Sequence, residues 1–248
     1  MPSERFLFAV AFILFSTAIS IAGYLHFINE KPALAAGNVI NAASCNQADV
    51  QAAINSASAG DIVLVPSGSC VWTGGITITK QIILKGSGTA AVSCTDCTRI
   101  TRNFTQTMIT VSPQADIPVR VSNIWFNNGP NNVGDRPVIK VIGISGGLKQ
   151  IRIDHNYIKG CMRPIWWGVY GVGGYAEGVV DNNHFHNSYI SIYVTGDGDT
   201  SWARPIEAGT SHAIFIEDNL FTYDNDAERE SDGWIYHVDG ARSVIRNN

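Results

Sequence analysis

The chain has 248 residues, of which 15% are charged, and a formal net charge of −4 at pH 7. That length can bury a continuous core in one elongated domain or two small globules. The mild negative balance, with no Lys/Arg cluster, argues against nucleic acid as a partner. Abundant Gly and Asn with recurrent short Val/Ile runs indicate strands and turns rather than helices.

Residues 1–35 read as a targeting segment. Phe6 to Ile28 is almost uncharged and apolar, and Ala33 and Ala35 form a small-residue cleavage signature. An uncleaved anchor is the alternative, because the run is long enough to span a bilayer. A membrane is a partner only in that case. On either reading the folded part runs from 37 to 248 and faces an oxidising compartment, secreted or at the cell surface.

The folded part opens with Asn46, placed to cap a helix whose Val50, Ala53, Ile54 and Ala57 share one side. Gly60 ends that helix, and the strand Ile62 to Val65 follows. Cys45 and Cys70 flank this unit and are expected to pair. Cys94 and Cys97 are either a small-loop disulfide or free thiols, since a zinc site would need a second pair. Cys161 is left over as a small buried apolar residue.

Five later segments share one ending: Met108 to Pro113, Val138 to Gly143, Trp166 to Gly171, Ser191 to Gly196 and Ile235 to Gly240. Aligned on the final Gly or Pro, Val111, Val141, Val169, Val194 and Val238 stand two places before it. Four places before it stand Ile109, Ile139, Trp167, Ile192 and Tyr236. Period-two alternation puts both columns on one strand face, the one toward the core. After each segment comes a second repeat: Val121 to Phe126, Ile153 to Ile158, Val180 to Phe185, Ile216 to Phe221 and Val244 to Asn248. In the last four, Asn156, Asn183, Asn219 and Asn248 follow an apolar strand end. Asn tolerates the left-handed conformation that bends one strand into the next, and stacked Asn side chains can form a ladder.

The repeat length varies, which fits one coil carrying loops of different size. Helix-patterned stretches, as a TIM barrel needs, are missing, and so is regular hairpin chemistry. The expected fold is therefore all-β, a parallel β-helix with an N-terminal capping α-helix over its first cross-section. The far end shows no such lid. The chain stops at Asn248 in mid-repeat, so the expectation is a C-terminally truncated domain.

Six stretches together resemble the pectate-lyase-like superfamily of right-handed parallel β-helices. They are Cys45 to Ile54, Gly60 to Pro66, Cys70-Val-Trp72, Ile83 to Gly88, Val179 to Asn183 and Phe215 to Asn219. The resemblance implies the fold more than the reaction, because that fold hosts lyases, hydrolases, epimerases and adhesins. Ile153-Asp154-His155 is similar to a stretch whose Asp binds calcium in pectate lyases. The same slot holds Asp181 and Glu217 in later coils, so it reads as a repeat position. The paired-Asp and Gly-His-Gly pattern of polygalacturonases is not visible, which leaves inverting hydrolysis unsupported.

The resemblance also implies a saccharide groove along the first strand of each coil, between long loops. Candidate substrate-binding residues there are Trp166, Tyr170, Trp202, Arg204 and Trp234, with Tyr193 among the clustered aromatics; flat rings with polar edges suit sugar faces. Trp167 falls in the inward column and reads as packing. Asp197, Asp199, Asp224 and Asp226 could hold Ca²⁺ for an anionic polysaccharide, although turn and solvated-loop chemistry explain them too. Asp197, Asp199 and Glu207 could equally be a hydrolytic carboxylate set.

Three places before the final Gly or Pro, the outward column reads Thr110, Lys140, Gly168, Tyr193 and His237. Here Gly168 is expected to leave room for a sugar ring. Tyr193 or His237 would act as base, Lys140 or Ca²⁺ as the cation, and Asp239 would orient His237 or bind a cation. The expected function is an extracellular lyase acting on an acidic polysaccharide. The alternative is a non-catalytic glycan-binding, adhesin or tailspike-like module.

Overall fold

The computed structural model describes residues 37–129, 136–144, 147–168, 176–196, 213–224 and 233–248. The N-terminal segment, with its signal-or-anchor alternatives, lies outside them. Among the described residues no helix is long and apolar enough to cross a membrane.

Three parallel sheets are built from short strands. Sheet A stacks β1 (Val39–Asn41), β2 (Ile62–Val65), β5 (Ile83–Gly86), β8 (Val119–Ser122), β11 (Leu148–Asp154), β14 (Ala176–Asp181), β17 (Ile214–Glu217) and β20 (Val244–Arg246). Sheet B stacks β3 (Gly68–Trp72), β6 (Thr98–Arg102), β9 (Ile124–Asn127), β12 (Tyr157–Lys159), β15 (His184–His186) and β18 (Leu220–Thr222). Sheet C stacks β4 (Ile76–Ile78), β7 (Ile109–Val111), β10 (Ile139–Ile142), β13 (Ile165–Gly168), β16 (Ile192–Thr195) and β19 (Ile235–Val238). From β2 onward the chain visits A, B and C in turn, and each strand pairs only with its counterparts in neighbouring coils. This is a right-handed parallel β-helix, the hand that parallel crossovers take.

Alternation fills the interior. In sheet C, Ile76, Ile109, Ile139, Ile165, Ile192 and Ile235 form one inward column. Ile78, Val111, Val141, Trp167, Val194 and His237 form the other. The expected Val column therefore holds at Val111, Val141 and Val194 and fails twice. Trp167 takes the place assigned to Val169, which lies outside the described residues. His237 takes the place assigned to Val238, which pairs with Thr195 instead. The cause is the choice of a terminal Gly as anchor. β13 ends at Gly168 rather than Gly171. After β19, Asp239 enters the left-handed region at φ 53°, adding a turn residue before Gly240.

The bend from sheet A to sheet B is where Asn was expected to be left-handed. The left-handed residue is instead the one before: Asn123 (φ 58°), His155 (55°), Asn182 (53°), Asp218 (56°) and Asn247 (53°). The expected ladder forms one position later. Asn156 donates its backbone N–H (3.1 Å) and side-chain amide (3.0 Å) to Asn183 Oδ1. Asn183 does the same to Asn219 (3.1 and 3.0 Å), and Asn219 to Asn248 (3.1 and 2.9 Å). The ladder begins at Ile124, whose N–H donates to Asn156 Oδ1 at 3.1 Å. The division of labour is physical: the left-handed position needs conformational tolerance, while the ladder position needs an amide that both donates and accepts.

The helix α1 (Gln47–Ser56) buries Val50, Ala53 and Ile54 against the first coil. It also pairs the open edge of sheet C. Gln51 accepts from the Thr77 N–H (2.8 Å) and donates to Thr77 O (3.3 Å), while Gln47 donates to Gly75 O (2.9 Å). Lys80 donates to Asn55 O and Ala57 O at the helix C-terminus, where a cation complements the helix dipole. Cys45 and Cys70 form the expected disulfide, and Trp72 donates its indole N–H to Cys45 O at 2.8 Å. Cys94 and Cys97 are also bonded, and Cys161 is free and buried. At the other end of the stack Ile245, in the inward column of sheet A, is 50% exposed.

Candidate functional site

Sheets B and C each carry a run of aromatic residues on the outer face, and the two runs differ in access. On sheet B, Arg99, Trp125, Tyr157 and His184 stack in register. The loop closed by Cys94–Cys97 packs over this stack, leaving Trp125 7% and Tyr157 1% exposed. Those rings serve packing. On sheet C the outward column reads Thr77, Thr110, Lys140, Trp166, Tyr193 and Tyr236. Trp166 and Tyr193 are half-buried, and Tyr236 is 42% exposed.

The sheet C strip is continuous. Trp166 meets Tyr193 edge-on with ring centroids 5.5 Å apart, and Tyr193 stacks on Tyr236 at 5.6 Å with 15° between planes. Cations sit on the same strip. Lys140 Nζ lies 5.1 Å from the Trp166 ring centroid, and the Arg163 guanidinium lies 4.4 Å over Tyr193. Both distances are within cation–π range. Burial lowers the Lys140 pKa below the ordinary lysine range, and the nearby charge of Arg136 adds to the shift.

One contact orients Trp166: its indole N–H donates to Thr195 Oγ1 at 2.8 Å. Thr195 stands directly over Gly168, where a Cβ would lie 2.5 Å from Thr195 O and 2.7 Å from Thr195 Cβ. Glycine is required there so that Thr195 can come close.

These placements correct the expected constellation. Lys140 and Tyr193 do lie on the outward column. Gly168 does not open a gap between them, because Trp166 occupies that level and Gly168 pairs with Thr195. His237 points inward, level with Val194, and its neighbour is Ser243, with Nε2 2.7 Å from the hydroxyl. The ring stacked on Tyr193 is that of Tyr236. Burial lowers the His237 pKa. Asp239 is exposed in the turn after β19 rather than at an outward strand position. Trp234 packs on Phe221, with ring centroids 5.4 Å apart. Asp224 is tied to sheet B, where its Oδ2 accepts from Asn187 (3.0 Å) and lies 3.2 Å from His186 Nε2. Tyr170, Trp202, Arg204, Asp197, Asp199, Asp226 and Glu207 lie outside the described residues. Among the described residues no group of three His, Cys, Asp or Glu is arranged to hold a metal ion.

Asp154 is fully buried at the repeat position expected for it, level with Ser122 and Asp181. Arg120 donates to it through Nε (2.7 Å) and Nη2 (2.5 Å), and His155 Nδ1 lies 2.7 Å from its Oδ2. Arg152 makes the equivalent paired bonds to Asp181, at 2.9 and 2.7 Å. These carboxylates neutralise arginines between coils. That is a structural task, in line with reading Asp154 as a repeat position.

Comparison with protein-family models, curated proteins and solved structures found no match.

Three residues of the strip escaped the sequence reading: Arg163, Thr195 and Tyr236. Arg163 precedes a proline just outside β13, where no strand periodicity marks it. Tyr236 was assigned inward by the one-residue register error, and counting back from Asp239 instead of Gly240 would have placed it.

Proposed function

We propose that the outer face of sheet C binds an acidic polysaccharide, and that the protein is an extracytoplasmic carbohydrate-active β-helix of the pectate-lyase-like kind. The observation that carries this reading is the continuous Trp166–Tyr193–Tyr236 strip with Lys140 and Arg163 against its rings. Stacked rings about one strand spacing apart offer apolar platforms for pyranose faces, and the two cations favour a chain bearing carboxylates. Two disulfides support an oxidising compartment.

A lyase reading draws on the same residues. β-Elimination from a uronic acid needs a proton acceptor and a cation that stabilises the developing charge beside the carboxylate. With His237 turned inward, Tyr193 is the remaining acceptor. Lys140, Arg163 or a Ca²⁺ held by acidic loops would supply the charge. The adhesin reading needs only the binding face.

The deciding experiment is a screen of uronic-acid and neutral polysaccharides, following ultraviolet absorbance of unsaturated product, reducing ends and binding separately. Unsaturated product lost in Tyr193→Phe establishes the lyase. Binding without product, weakened about tenfold in Trp166→Ala, establishes the binding module. Equal binding of neutral and acidic chains, or none, overturns the proposal.

A further inference from the structure

A separate cavity of about 220 Å³ opens on the outer face of sheet A. It is lined by Ile62, Ile83, Lys85, Arg120, Ser122, Asn123 and His155. The outward columns explain why it forms there. One column runs Ile62, Ile83, Arg120, Arg152 and changes from apolar to cationic between β5 and β8. The other runs Leu64, Lys85, Ser122, Asp154 and carries its lysine at that same step. The bend residues Asn123 and His155 close one side.

The lining is chemically one-sided. Two isoleucines form an apolar wall, Lys85, Arg120 and His155 bring an ammonium, a guanidinium and an imidazole, Ser122 and Asn123 complete the lining, and no carboxylate lines it among the described residues. Asp154, fully buried, holds two of the lining groups. It accepts from Arg120 Nε and Nη2 and contacts His155 Nδ1. Arg120 and His155 are therefore fixed in orientation before any ligand arrives, which removes part of the ordering cost of binding. Asp154 offsets one positive charge, and Lys85, exposed at the rim, supplies another.

From this we infer that the sheet A cavity binds one small organic oxyanion. A carboxylate or sulfate group would meet Lys85 and Arg120, and an apolar ring face would rest on Ile62 and Ile83. The volume suits a single acidic sugar residue rather than a polymer segment. The cavity shares no residue with the sheet C strip, so the inference stands or falls independently of the polysaccharide proposal.

The test is calorimetric titration of the full chain with glucuronate, inorganic sulfate and glucose. It is repeated in Lys85→Met and in a control, Lys159→Met, placed on sheet B. Glucuronate is expected to bind, more weakly as salt rises, and glucose not to bind. Lys85→Met should weaken glucuronate about tenfold while Lys159→Met leaves it unchanged, and backbone amide shifts on titration should centre on Ser122 and Asn123. Sulfate binding as well as glucuronate identifies the oxyanion group as the feature read first. Glucuronate alone assigns a larger share to the isoleucine wall. Equal affinity in Lys85→Met, equal binding of glucose, or shifts centred on Trp166 and Tyr193 would each overturn the inference.

Discussion

His237 shows how one residue's chemistry follows from its register. A one-place shift of β19 moves it from the outer face to the inward column, level with Val194. There, burial favours the neutral imidazole and pushes its pKa below the ordinary histidine value of about 6.5. His184 on sheet B shifts the same way, by burial first and then by the neighbouring His186. A lowered folded-state pKa means that the unfolded chain binds the proton more readily. Stability is then full above the unfolded value, falls as pH drops through the window below it, and levels off beneath the folded value. His237→Val places a β-branched residue in an apolar column, and water can replace the lost contact at half-exposed Ser243. The variant should lose less melting temperature than the parent between pH 7.5 and pH 5. Parallel melting curves across that range would show that His237 is protonated at no cost.

Strands and bends were legible in the sequence to different depths. Alternation identified Ile109, Val111, Ile139, Val141 and Ile192 as inward because one buried face enforces register. The ladder Asn residues were legible because a buried amide must recur wherever its neighbours depend on it. What could not be read was which residue of each bend turns left-handed: His155-Asn156, Asn182-Asn183 and Asp218-Asn219 each set two tolerant residues side by side, and it is the first that turns. Contacts joining different coils were also hidden, since the Lys85, Arg120 and His155 cavity draws on three separate repeats. The ladder makes a prediction at this scale. Asn183 accepts two bonds from Asn156, donates two to Asn219, and donates to Ile153 O and Asp181 O. Asn183→Ala strands the buried Asn156 N–H and should cost about 3 kcal/mol. Asn248→Ala removes an exposed rung and should cost under about 1 kcal/mol, because water replaces the bonds. Chemical denaturation measures both, and equal losses would mean that the ladder adds nothing beyond local bend geometry.

The described residues form a one-dimensional stack, in which each coil touches mainly the next. Stability then sums over neighbours, and the ends decide where opening starts. The N-terminal end is held by three devices at once. α1 buries Val50, Ala53 and Ile54, Gln47 and Gln51 pair the open edge of β4, and Cys45–Cys70 ties the segment before the helix to β3. The disulfide spans 25 residues. Closing a loop of that size restricts the unfolded chain by about 3.5 kcal/mol in the chain-entropy account. Replacing both cysteines with serine should therefore lower stability by about that amount and move the point of first opening to the helix end. Hydrogen exchange resolves the two effects. Amides of Ile62–Val65 and Ile76–Ile78 should lose protection first in the variant, while those of β13 and β16 change only as far as global stability falls. If protection dropped uniformly along the stack, the cap would be one more cooperative coil rather than the element that closes it.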